Sequence, residues 1–70
     1  MAVIKVIELV GISPTSWEDA ARNAVNEASE TIRDISGLKV INQTATVKDG
    51  AITEYRANVK ISFVVADVRD

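Results

Sequence analysis

The 70-residue sequence contains no cysteine and no histidine. Without cysteine there is no disulfide, no thiolate nucleophile and no soft-metal site. Without histidine the commonest general base is missing, and Ser13, Ser16, Ser29, Ser36 and Ser62 have no imidazole to activate them. The three glycines stand far apart, at Gly11, Gly37 and Gly50, so no glycine-rich phosphate loop exists. Aromatics are limited to one Trp, one Tyr and one Phe. No apolar run reaches the length of a membrane span. Net charge is −2 with both signs mixed along the chain, which argues against nucleic acid or an anionic membrane as partner. Met1-Ala2-Val3-Ile4-Lys5 lacks the basic segment followed by an apolar stretch of a signal peptide, so a cytoplasmic location is expected. Together these absences lead us to expect a protein that is not an enzyme.

What is present is strong alternation. From Glu54 to Val65, Tyr55, Ala57, Val59, Ile61, Phe63 and Val65 share one face, and Glu54, Arg56, Asn58, Lys60 and Ser62 share the other. Period two predicts a strand with one face in a core. Val3 to Val10 is rich in Val and Ile and predicts an opening strand that stops at Gly11. Leu38 to Val47 predicts a more polar strand, joined to the long one by a hairpin at Lys48-Asp49-Gly50-Ala51.

Between the first two strands lies a helix pattern. Trp17, Ala20, Ala21, Ala24, Ala28, Ile32 and Ile35 recur at steps of three and four, with Val25 at the stripe's edge. Their spacing predicts a helix to about Ile35, ended by a left-handed Gly37. Small alanines would let a sheet approach closely. At the start, Thr15 with Glu18 or Ser16 with Asp19 can form a capping box, and Pro14 suits a first turn. Trp17 heads the apolar stripe and Tyr55 sits on the apolar strand face; both read as packing residues rather than ligand stackers.

The order is β-α-β-β in one domain, residues 1–70, of the α+β class. Connection rules place the third strand between the others, a three-stranded antiparallel sheet of order 2-3-1 around one helix. A chain this short, with no disulfide, has too little core to stand alone, so further copies of itself are its expected partners.

One cation site is conceivable from spacing. Glu27, Glu30 and Asp34 fall on one flank of the predicted helix, and Asp67 and Asp70 add tail oxygens. Calcium needs six or more oxygens, more than one helix face supplies, so the plain alternative is a solvated surface that only symmetry could turn into a site.

The sequence resembles the dodecin family over nearly its whole length. The matching segments are Lys5 to Ser13, the alanine-rich helix from Trp17, Val40-Ile41-Asn42-Gln43, and Glu54-Tyr55-Arg56 leading to Val59-Lys60-Ile61-Ser62-Phe63. The resemblance implies a sheet wrapped around the helix and twelve copies closed into a hollow shell. It also implies a non-enzymatic store or buffer for flavin (FMN, FAD or riboflavin), stacked in pairs between aromatic side chains near three-fold axes. The positions that would form the flavin pocket are Gly37, Asn42, Gln43 and Arg56. Flavin-binding members carry Trp where this chain has Gly37, Gln where it has Arg56, and in some an acid where it has Asn42; Gln43 matches. Gly37 offers no stacking surface, and Arg56 donates without accepting. The Ser13-Pro14-Thr15-Ser16-Trp17 run and Arg56 are similar instead to a calcium-associated branch. Calcium binding or a purely structural shell is therefore the alternative to flavin.

Overall fold

A computed structural model describes residues 2–67. Strand β1 (Ala2–Ser13) leads to helix α1 (Trp17–Ser29), then strands β2 (Ile35–Lys48) and β3 (Ala51–Asp67). The sheet has the order β1-β3-β2, with both pairings antiparallel, as the connection rules predict. Asp49 and Gly50 turn the hairpin at φ 51° and 78°, the conformation that Asp-Gly tolerates best. Of the two tail carboxylates, Asp70 lies outside the described residues and Asp67 ends β3, paired with Ala2.

The helix is shorter than its apolar spacing suggests. It ends at Ser29, with Glu30 as C-cap donating its N–H to Ala28 and Glu27 carbonyls. Ser29 Oγ donates to the Asn26 carbonyl at 2.8 Å, the kind of local bond that competes with helix continuation. Asp34, at φ 62°, then reverses the chain into β2. Ile32 and Ile35 still pack on the core, but from a turn and a strand rather than a helix. Gly37 is therefore no helix cap: it lies within β2 and has no positive φ.

The helix start is settled in favour of Ser16, whose side chain accepts from the Asp19 N–H at 3.0 Å. The Asp19 carboxylate does not complete the box. It accepts from the hydroxyls of Ser13 at 2.7 Å and Thr15 at 3.3 Å. Ser13 is fully buried, and its oxygen also receives the Thr15 N–H at 3.0 Å. These bonds fix the turn from β1 into α1.

The core is thin. Ala20, Ala21, Ala24 and Ala28 of α1 meet Ala57, Val59 and Ile61 of β3, with Ile7 and Leu9 of β1 alongside. At Gly11 the helix backbone comes so close that an added Cβ would overlap the Ala20 carbonyl and stand 3.1 Å from Ala24 Cβ. Trp17 closes one end, its ring edge-on to Tyr55 at 4.9 Å and its Nε1–H donating to the Thr44 carbonyl at 2.7 Å.

The chain is not a compact sphere. Its radius of gyration is 14.7 Å and its extents are 59 × 20 × 13 Å. A compact 70-residue domain would have a radius of about 11 Å. Accessible surface is 5072 Å², against roughly 4300 Å² for a folded monomer of this mass. Among the described residues, no helix is long and apolar enough to cross a membrane.

Candidate functional site

Antiparallel register decides which side chains share a face, since partners directly opposite point the same way. Val59 and Ile61 are buried toward the helix, so Arg56, Asn58, Lys60 and Ser62 point away from it, as the alternation predicts. Their register partners complete rows across this outer face. Ile12, Arg56 and Thr44 form one row; Val10, Asn58 and Asn42 the next; then Glu8, Lys60 and Lys39; then Val6, Ser62 and Gly37.

Three of the four pocket positions named from the sequence, Gly37, Asn42 and Arg56, therefore lie on the outer face. Gln43 is in register with buried Ala57 and belongs to the helix-side face, at the uncovered edge. A bulge between Val40 and Asn42 separates the two sides' alternation. Arg56 and Asn42 are in adjacent rows, about 7 Å apart along the strands. Gly37 sits opposite Ser62, six residues from Arg56 along β3 and so about 20 Å away. One chain cannot bring Gly37 and Arg56 to the same small ring.

Arg56 is engaged in the opposite direction. Its Nε–H donates to Glu54 Oε1 at 2.8 Å, and Thr46 Oγ1 donates to the same oxygen at 3.4 Å. Both charges are partly exposed, so the pair contributes little stability. Its effect is to aim the guanidinium toward the hairpin tip, away from Gly37. The sequence pattern placed Glu54 and Arg56 on one face but gave no sign of this pairing.

Gly37 opens onto a hollow of about 310 Å³ lined by Val6, Gly37, Leu38, Lys39, Lys60 and Ser62. A Cβ at residue 37 would stand 2.7 Å from Ser62 Oγ. That hydroxyl can rotate away, so a Cβ there needs only a local shift.

The carboxylates proposed for calcium do not share a helix flank. Glu27 is on α1, Glu30 caps it, and Asp34 lies beyond the turn. Among the described residues, no three acidic side chains converge on a point where a metal ion could sit.

The chain's relatives agree with this architecture. The dodecin family model matches residues 3–66. The calcium dodecin of Mycobacterium tuberculosis is 43% identical over 63 residues, covering 90% of this chain and 89% of that protein. Its crystal structure, that of a calcium-chelating antigen with a calcium-binding site, superposes with a TM-score of 0.80 at 40% identity and 97% coverage of each chain. Dodecin from Streptomyces coelicolor superposes more closely, at a TM-score of 0.90, with only 30% identity and 96% coverage of each chain. Sequence likeness and backbone likeness thus point to different relatives.

Proposed function

The chain belongs to the dodecin family, and from that premise we propose that it is a non-enzymatic, twelve-subunit shell that binds calcium rather than flavin. The observation that carries the choice is the outer face itself. Gly37 supplies no stacking ring, and Arg56 is drawn toward Glu54 instead of reading a flavin edge. The calcium dodecin, at 43% identity, supports the cation. Because no three carboxylates converge among the described residues of one chain, the calcium ligands would be shared between copies, with Glu27, Glu30 and Asp34 as candidate donors. Flavin binding, the family's other habit, would require Gly37 of one copy to approach Arg56 of another and to stack without an aromatic.

Two titrations separate these readings. Calcium should raise the melting temperature of the purified assembly, and a chelator should reverse the rise. Flavin added to the same protein should keep its fluorescence. Quenching at micromolar flavin, with melting indifferent to calcium, would reverse the assignment.

A further inference from the structure

We infer that the hollow beside Gly37 is an anion site, built for a phosphate group. Lys39 of β2 and Lys60 of β3 are direct register partners on the outer face. Their side chains therefore rise from the sheet about 5 Å apart, an arrangement of like charges that is unfavourable unless something negative lies between them. Neither ammonium lies within ion-pair distance of a carboxylate among the described residues; the ion pairs there are Arg22 with Glu18 and Arg56 with Glu54.

The next row shapes the receptor. Ser62 contributes a hydroxyl that can donate, and it leans over Gly37, whose missing side chain leaves room for it. The hollow holds about 310 Å³, roughly ten water volumes, enough for a phosphate with part of its hydration shell. Val6 forms its apolar wall. Two ammonium groups and a hydroxyl line the hollow with donors, and no carboxylate lines it, which suits a multiply charged oxyanion.

Glu8 is the opposing influence. It lies in register with Lys60 on the β1 side of the same row, so the row carries two positive charges and one negative. The site is open toward β2, where Lys39 stands, and shielded toward β1. This position also separates it from calcium chemistry, since a basic hollow repels a cation. The inference stands independently of the calcium reading.

The test is calorimetric titration of the full assembled chain with inorganic phosphate at constant ionic strength, in calcium-free buffer, with chloride and sulfate as competitors. Phosphate should bind, and Lys39→Gln and Lys60→Gln should each weaken it about tenfold, as expected for losing a charge-assisted hydrogen bond. Glu8→Gln should tighten it. Gel filtration of each variant must show the wild-type assembly. No phosphate binding, binding no stronger than that of chloride, or equal affinity in the wild type and both lysine variants would each overturn the assignment.

Discussion

At Gly11 a single methyl group is enough to force the helix away from the sheet. The Cβ would collide with the Ala20 carbonyl, part of a backbone that cannot rotate aside. Gly11→Ala should therefore destabilise the fold by about 3 kcal/mol or more, read as a large fall in melting temperature or as failure to recover folded protein. A melting point within a few degrees of wild type would mean that the approach of α1 to β1 is looser than described. Gly37 behaves differently, because its only close neighbour is a rotatable hydroxyl. Gly37→Trp should fold and assemble normally. Combined with Arg56→Gln, it should confer measurable flavin quenching that the wild type lacks. If the double variant assembles and still ignores flavin, the shape of the outer face rather than these two side chains excludes the ring.

The elements were unequally legible from sequence. The long strand announced itself because Ala57, Val59 and Ile61 are buried while their neighbours are not, and burial of one face imposes period two. The hairpin followed from Asp49-Gly50 alone. The end of the helix did not follow, because Ile32 and Ile35 keep helical spacing while reaching the core by another path. The competing signals were Ser29 bonding back to Asn26 and Asp34 accepting positive φ, neither of which alters apolar spacing. That error also misplaced Gly37 as a cap and gathered Glu27, Glu30 and Asp34 onto a flank they do not share. Of the three outward pocket positions only Arg56 could be read from alternation; the bulge between Val40 and Asn42 shifts the period of β2, and the separation of Gly37 from Arg56 by about 20 Å required the register. The helix start makes two predictions. Ser16→Ala removes the oxygen that accepts the Asp19 N–H and should reduce stability by about 1 kcal/mol. Trp17→Phe keeps a ring against Tyr55 but loses the bond to the Thr44 carbonyl, and should also cost about 1 kcal/mol. Thermal melts at fixed protein concentration check both, and unchanged melting would show these contacts to be incidental.

At the scale of the whole molecule, the elongated shape and the large apolar exposure lead to the same place. Leu38 is 43% exposed and Val40 41%, because α1 covers β1 and β3 more than β2. Between α1 and β2 a hollow of about 350 Å³ is floored by Ala21, Val25 and Leu38. On the outer face Val6 and Val10 are about half exposed. The apolar surface around Leu38 and Val40 is of the kind that other copies cover, and Leu38→Lys should shift the protein from assembly to unfolded or aggregated chains. The most direct measurement is sedimentation velocity across a dilution series to below one micromolar. A protomer that depends on its neighbours should remain a single species of about 91 kDa, twelve times the 7.6 kDa chain, and lose structure wherever it dissociates. A stable, folded 7.6 kDa monomer at those concentrations would contradict that dependence.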